Sequence, residues 1–114
     1  MFQAILMSFM LADADPAYVG FHLVGPEGKK RAIDDYDLDM EVIRFIGAKY
    51  PRVHKALHTG EMTLGKAPPY ALVDHMAKAV DIAGAERIGH GTSMAFEPNA
   101  VKTLAAMAAR NIAV

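Results

Sequence analysis

The sequence predicts an α/β fold built from parallel strand–helix units, and three observations support this prediction. Glycines and prolines divide the 114 residues into short apolar runs that alternate with segments of helical periodicity. Strands separated by helices of this length cannot pair as hairpins, so they lie parallel with right-handed crossovers. Hydrophobic residues make up 53% of the chain and charged residues 22%, which is typical of one globular domain and excludes a disordered chain.

The chain opens with a helix and a strand. Residues 2–14 are apolar and predict a helix that stops at Asp15-Pro16, because the residue before a proline is pushed out of the α region. Residues 17–24 form a short apolar run ended by Gly25-Pro26, which is typical of a buried strand. Residues 28–32 follow as a basic loop.

The second helix and second strand come next. Asp34 or Asp37 can cap a helix that runs to about residue 50, where Pro51 ends it. Residues 53–58 then predict a strand, which a long loop over 59–67 follows. The apolar residues at helical spacing in the second helix are Leu38, Val42, Phe45 and Ile46.

The last third of the chain repeats the pattern. Prolines at the start of residues 68–83 fit the first turn of a third helix, and Gly84 ends it. Residues 87–89 form a very short third strand, residues 98–110 a fourth helix, and residues 112–114 the start of a fourth strand. The inward-facing residues of these two helices are expected to be Leu72, Met76, Ala79, Val80, Ala83, Leu104 and Met107. His75 is expected in the middle of the third helix, with its side chain exposed.

Composition excludes several classes of function. The chain has no cysteine, which rules out disulfides, thiolate metal sites and a thiol nucleophile. A formal net charge of -1 gives no basic footprint for nucleic acid. No apolar run approaches the roughly 20 residues that a bilayer span requires, so no membrane association is expected. No Lys or Arg precedes Lys29, so a secretory signal lacks its basic region, and a cytoplasmic location is expected.

Polar and titratable residues cluster where the predicted strands end. The three clusters are residues 22–27, residues 58–61 and His90-Gly91. Ligands bind beyond the carboxyl ends of parallel strands, and in barrels the catalytic groups come from the tips of several strands. The sequence therefore predicts a functional site at one edge of the sheet.

His58 and Glu61 are the first candidates for chemistry. Period-two alternation places His54, Ala56 and His58 on one face of the second strand, with His58 at the tip. A neutral imidazole there suits a zinc ligand, Gly60 permits a sharp turn, and the carboxyl of Glu61 could shuttle protons near a metal-bound water. The spacing alone fits equally well a strand-end histidine in a hydrogen bond beside a solvated glutamate, and such a purely structural role is the commoner one.

His90 and Gly25 are the remaining candidates. Glycines flank His90, so the backbone there has wide conformational freedom and another group can come close to the imidazole. An imidazole in such a position could act as a base or stabilise an oxyanion. Gly25 ends the first strand and permits close approach of a ligand, and Glu27 could hydrogen-bond that ligand. Simple turns explain both segments when each is taken alone.

Two motifs taken together resemble the adenosine deaminase family. They are LHTGE at residues 57–61 and ERIGHG at residues 86–91, in this order and about thirty residues apart. The segment VGFHLVGPE at residues 19–27 and the stretches between the motifs are similar to a bacterial branch of the same family, so the resemblance covers essentially the whole chain.

The resemblance implies a (β/α)8 barrel enzyme that hydrolyses adenosine to inosine and ammonia with the help of zinc. On the matching positions, His58 would be a zinc ligand, and Glu61 would donate a proton to the purine ring nitrogen beside the reacting carbon. His90 would orient and deprotonate the zinc-bound water. Gly25 would contact the purine through its backbone. The implied partner is a purine nucleoside.

The resemblance also implies that the zinc site is incomplete in this chain. The family takes two zinc-ligating histidines from a His-x-His motif and an aspartate from an Asp-Asp pair on its last strand. The chain contains no His-x-His, and Asp34-Asp35 precedes a helix in the wrong place to supply that aspartate. Residues 1–114 would then be one partial barrel segment, the fourth to seventh strands of a longer deaminase and inactive alone.

Two alternatives to a deaminase segment stay open. In the first, the chain is a non-catalytic half-barrel that docks on another chain or forms homo-oligomers through exposed sheet edges and an unpaired, apolar barrel-facing surface. In the second, it belongs to a different amidohydrolase-type barrel that acts on another amine or on a nucleotide.

Overall fold

The computed structural model describes all residues from Met1 to Val114 and contains a three-stranded parallel sheet with five α-helices. The sheet order is β1-β2-β3, so the strands lie side by side in chain order. Two short 3-10 turns cover Pro69–Leu72 and Thr92–Phe96. The elements are α1 Phe2–Ala14, β1 Gly20–Leu23, α2 Lys30–Asp34, α3 Tyr36–Gly47, β2 His54–Thr59, α4 His75–Asp81, β3 Arg87–His90 and α5 Ala100–Ala109.

The strand pairing confirms the predicted parallel α/β architecture. β1 pairs with β2 in parallel over four residues, and β2 pairs with β3 in the same sense. The predicted fourth strand is reduced to a single parallel bridge between Arg87 and Ala113, in which the N–H of Ile88 donates to the carbonyl of Ala113 at 2.8 Å. The end of the chain therefore extends the sheet beyond β3 and continues the sequential order.

One face of the sheet is packed under the helices and forms the core. Leu23, Leu57 and Ile88 stand in one row across the three strands. Leu57 is 1% and Ile88 0% exposed. The helices bury apolar residues against this face, namely Ile5 and Phe9 of α1, Met40, Ile43 and Ile46 of α3, Met76, Ala79 and Val80 of α4, and Met107 of α5. Phe9 also stacks on Phe21, with ring centroids 4.7 Å apart.

The other face of the sheet carries no helix, and its residues are polar or small. His22, Ala56 and Arg87 form one row of this face, and His58 and Gly89 form the next. His22 and Arg87 are exposed. The expected apolar barrel-facing surface is therefore wrong. Histidine, arginine, alanine and glycine occupy this face in place of the expected apolar side chains.

Several helix predictions need correction. The basic loop at 28–32 is in large part helix α2, which the i,i+4 ion pairs Lys30–Asp34 and Arg31–Asp35 stabilise. The predicted third helix is divided into a 3-10 turn and α4, because Asp74 has a φ of -151° that no helix accommodates.

The predicted inward faces are partly right. The residues expected inside from the third predicted helix, Leu72, Met76, Ala79, Val80 and Ala83, are all buried, as is Met107. The prediction for Ile46 is also confirmed, because it is fully buried. By contrast, Leu38, Phe45 and Leu104 are exposed, and α3 buries Met40 and Ile43 in addition to Ile46. No side chain caps α3, although Asp37 lies in its first turn, where a carboxylate complements the helix dipole. None of the helices combines the length and the apolar character that crossing a bilayer requires.

Candidate functional site

The carboxyl ends of β2 and β3 bring His58, His90 and Glu61 together. Nδ1 of His58 and Nε2 of His90 lie 3.2 Å apart, so one imidazole donates a hydrogen bond to the other. Oε2 of Glu61 lies 3.9 Å from Nε2 of His90. Three residues that are separated by up to 32 positions in the chain thus meet above one edge of the sheet.

The backbone of His90 explains how its side chain reaches His58. In the strand register Thr59 stands opposite His90 and His58 opposite Gly89, so regular alternation would direct His90 to the helix-covered face with Thr59. His90 instead has a φ of 85°, the left-handed region that side chains other than glycine rarely adopt. Such strain costs on the order of 1–3 kcal/mol and is concentrated at functional sites. The left-handed turn brings the imidazole to the rim and to His58.

Glycines allow the two strand tips to approach each other. A Cβ on Gly89 would lie 2.9 Å from Cδ2 of His58, so the absence of a side chain leaves room for the imidazole. Gly60 has a φ of 85°, and a Cβ there would lie 2.9 Å from Cα of Gly91. The Gly91 N–H donates to the carbonyl of Thr59 at 3.0 Å, which ties the loops together. The glycines flanking the two histidines therefore have a packing role as well as a conformational one.

Gly25 lies in the wall of a cavity that His58 also lines. The cavity has a volume of about 220 Å³ and lies between the tip of β1 and helices α2 and α3. Its wall includes Glu27, Tyr36, Asp39 and His75, whereas Glu61 and His90 do not line it. The structure thus brings Gly25 and His58 to one cavity, and the His90–Glu61 pair lies outside its wall.

His22 extends the row of imidazoles. Its ring centroid lies 4.9 Å from that of His58, in an edge-on arrangement. Partial burial lowers the pKa of His22, and the neighbouring His58 and Arg87 lower it further. A lowered pKa favours the neutral form of the His22 ring.

These residues do not by themselves form a zinc site. Imidazole and carboxylate are donor types that zinc accepts, but a catalytic zinc takes three protein ligands in addition to water. No group of three or more His, Cys, Asp or Glu side chains converges closely enough to hold a metal ion. Nδ1 of His58 is paired with His90, which leaves Nε2 as the nitrogen of His58 that could bind a metal ion. The chain therefore offers at most part of a ligand set.

A buried polar network behind the site was not predicted. Glu27 is 6% exposed, and its Oε2 accepts the backbone N–H of Glu61 at 2.7 Å. Burial by itself raises the pKa of Glu27, but the adjacent His75 and the Glu61 N–H outweigh this effect, and the pKa lies below its usual value. A short Gly-Pro-Glu segment gives no sequence signal of such burial.

The prediction that His75 is exposed is wrong. His75 is 4% exposed, and Tyr36 stacks on it with ring centroids 3.5 Å apart. The spacing could have revealed this burial, because His75 lies three residues after Leu72 and four before Ala79, on the apolar face of its helix. Tyr36 completes the contact by donating its hydroxyl to the carbonyl of His75 at 2.9 Å.

Asp39 is another buried carboxyl that sequence reasoning missed. It is 6% exposed in α3 and lines the cavity with Gly25 and His58. Burial raises the pKa of Asp39, and the neighbouring Asp35 raises it further. The only sequence signal for the burial of Asp39 is its place among the apolar positions of an amphipathic helix.

Comparisons of the chain with protein-family models, with curated proteins and with solved structures find no match. Any function has to be inferred from the residues themselves and from their geometry.

Proposed function

We propose that this chain carries the acid–base groups and part of the purine pocket of an adenosine-deaminase-type zinc aminohydrolase. The observation that supports the proposal best is the meeting of three side chains at the strand tips. His58 and His90 are 3.2 Å apart, and Glu61 lies 3.9 Å from His90. These are the residues of the two motifs that resemble the deaminase family.

The positions of the groups suit the roles that the resemblance implies. Glu61 projects from the rim, with its side chain 55% exposed, so its carboxyl is accessible to a ring nitrogen of a bound purine. An imidazole can serve as a general acid or base, and the hydrogen bond between Nε2 of His90 and Nδ1 of His58 fixes the orientation of the His90 ring. The backbone at Gly25 borders the cavity in which a purine would lie.

In this proposal the three-stranded sheet belongs to a larger, closed barrel. Parallel strands in sequential order, with helices covering one face only, are the arrangement found around a (β/α)8 barrel. We propose that the sheet forms about half of such a barrel and that its polar face lines the interior. His58 would be one zinc ligand, and the other ligands would come from residues outside these 114.

A chimaeric enzyme tests the proposal. Residues 1–114 are placed in an adenosine deaminase in exchange for its corresponding segment, so that the host supplies the His-x-His motif and the Asp-Asp pair. We expect the zinc-loaded chimaera to form inosine and ammonia from adenosine. Glu61→Gln should lower kcat by about 10²–10⁴-fold, as is typical when a general acid is removed.

The matched control is His54→Ala. His54 lies on the same face of β2 as His58 but at the opposite end of the strand, and its side chain is 74% exposed. This variant should keep full activity, whereas His58→Ala should lose both activity and bound zinc. A folded chimaera that binds zinc but forms no inosine would refute the proposed function.

A second candidate function, self-association without catalysis, is supported by two surfaces. β1 has no strand on its outer side, which leaves an unpaired edge. Helix α1 exposes Met7, Met10 and Leu11, with relative exposures of 69%, 51% and 48%. Sizing chromatography with zinc analysis distinguishes the two candidates, because a metal-free oligomer with no response to adenosine favours self-association.

A further inference from the structure

Glu27 connects the tip of β1 to the loop that follows β2. Its carboxylate oxygen Oε2 accepts the backbone N–H of Glu61 at 2.7 Å, across 34 positions of sequence. A hydrogen bond to an ionised acceptor is roughly twice as strong as one between neutral groups. Because Glu27 is almost fully buried, water does not compete for this bond.

The network behind Glu27 restricts the position of its carboxylate. Nε2 of His75 lies 3.6 Å from Oε1 of Glu27, too far for a hydrogen bond but close enough for electrostatic attraction. The ring of His75 is held by Tyr36, whose hydroxyl lies 2.9 Å from both Oγ1 of Thr59 and the carbonyl oxygen of His75. The carboxylate of Glu27 therefore lies beside a histidine whose own position is fixed by Tyr36.

Glu61 itself has few other contacts that could fix its position. Its side chain is more than half exposed, and the only basic side chain within 4 Å of its carboxylate is His90, at 3.9 Å. The preceding residue is Gly60, with a φ of 85°. The carbonyl of Gly60 accepts the N–H of Ser93 at 2.9 Å. The hydrogen bond from the Glu61 N–H to Glu27 is therefore the contact that fixes the position of the Glu61 backbone, from which its side chain extends.

We infer that Glu27 is a positioning residue for Glu61. By accepting the Glu61 N–H, it holds the start of the loop so that the Glu61 carboxyl lies beside His90 at the rim. The inference rests on the proposed function only in so far as Glu61 is the acid that acts on the purine. The link between Glu27 and Glu61 can be tested without any turnover.

The test uses NMR spectroscopy of the full chain, labelled with nitrogen-15 and carbon-13. Glu27→Gln keeps the shape of the side chain but removes its charge, and Glu27→Met removes the acceptor as well. In both variants we expect the Glu61 amide proton to move upfield and to exchange with solvent about tenfold faster. Glu27→Met should also move the ring signals of His90 in the same direction as Glu61→Gln does, because both changes take the carboxyl away from His90.

Glu97→Gln is the matched control. Glu97 is also a buried glutamate, and its Oε1 accepts the backbone N–H of Met76 at 2.5 Å. This variant should shift the Met76 amide and leave the signals of Glu61 and His90 unchanged. The control shows whether loss of any buried carboxylate disturbs the rim, which is what a merely structural role of Glu27 would predict.

The positioning role of Glu27 is overturned if the NMR signals of the Glu61 amide and the His90 ring are unchanged in folded Glu27→Gln. It is also overturned if Glu97→Gln shifts these signals equally. If Glu27→Met does not fold, Glu27→Gln alone decides. Failure of the proposed function is a separate result, because it appears as the absence of inosine from the chimaera while the NMR link between Glu27 and Glu61 persists.

Discussion

The two faces of the sheet are built from opposite kinds of residue. The face under the helices carries Leu57 and Ile88, which are fully buried and pack in one continuous core. The bare face carries His22, His58 and Arg87, and it ends in a rim where glycine and left-handed backbone replace regular strand. The covered face therefore provides stability, whereas the left-handed backbone of the rim costs some of it. It is on this rim that we propose the acid–base groups lie.

The largest expected effect is on the free energy of unfolding, and it is measured by comparing one substitution on each face of the sheet. Ile88→Ala on the covered face should lower the free energy of unfolding by about 2–5 kcal/mol, because it leaves a cavity in a closed core. His54→Ala on the bare face should change it by less than about 1 kcal/mol, because the side chain is 74% exposed and its pair with Glu86 lies at the surface. Urea unfolding followed by circular dichroism measures both. Equal losses would show that the bare face also contributes to stability.

A smaller loss of stability is expected from a substitution at Gly60, where the rim packs against the core. Gly60→Ala should cost about 1–3 kcal/mol, because φ is 85° and the new Cβ would lie 2.6 Å from Sδ of Met76. Gly65 has a similar φ of 91° but open space around it, so Gly65→Ala isolates the backbone cost. Thermal unfolding of both variants measures the difference. If Gly65→Ala costs as much as Gly60→Ala, the close approach of the loop to α4 is unimportant.

Substitution of His90 tests whether the rim is strained. His90→Gly and His90→Ala both remove the imidazole, but only glycine adopts a φ of 85° without strain. We therefore expect His90→Gly to be more stable than His90→Ala by about 1 kcal/mol, the reverse of the usual order within a strand. Denaturant unfolding at equal protein concentration decides this. The usual order, with alanine more stable, would contradict the strain that the structure places at His90.

The smallest expected effect is on the pH dependence of stability. The pKa of Glu27 is lowered, so its contribution to stability is present above its unfolded value of 4.5 and is lost as the pH falls through the folded value. Burial raises the pKa of Glu97, against the opposing Met76 and Ala77 N–H groups, so its contribution is complete below 4.5 and is lost as the pH rises through the folded value.

Two variants therefore respond to pH in opposite ways. Relative to the unmodified chain, Glu27→Gln should be least stable near neutral pH, with a deficit that shrinks in acid. Glu97→Gln should instead improve relative to the unmodified chain as the pH rises. Urea unfolding from about pH 3 to about pH 7 gives both profiles. Parallel profiles would show that the two buried carboxyls do not have opposite shifts.

The strands and the location of the site could be predicted from local pattern. Apolar runs between glycines and prolines gave the three strands, and alternation correctly placed His54, Ala56 and His58 on one face. Parallel strands place their carboxyl ends together, so His58, Glu61 and His90 were expected at one edge. Topology therefore accounts for their shared edge, whereas the contact between the His90 and His58 side chains also needs the left-handed backbone at His90.

The helix faces could not be predicted reliably, because several helices are apolar on more than one side. In α3, Leu38 and Phe45 lie at helical spacing with Val42, but Met40 and Ile43 form an equally apolar face, and packing against α1 selects the latter. The left-handed backbone at His90 and the burial of Glu27 depend on contacts between distant loops, for which a local pattern carries no signal.

The most direct test of the central claim measures kcat for adenosine in the chimaera with Glu61→Gln, His90→Ala and both changes together. If the two side chains act as one unit at the rim, the double variant should lose no more activity than the worse single variant. Losses that multiply, or single variants that keep full activity, would contradict the account.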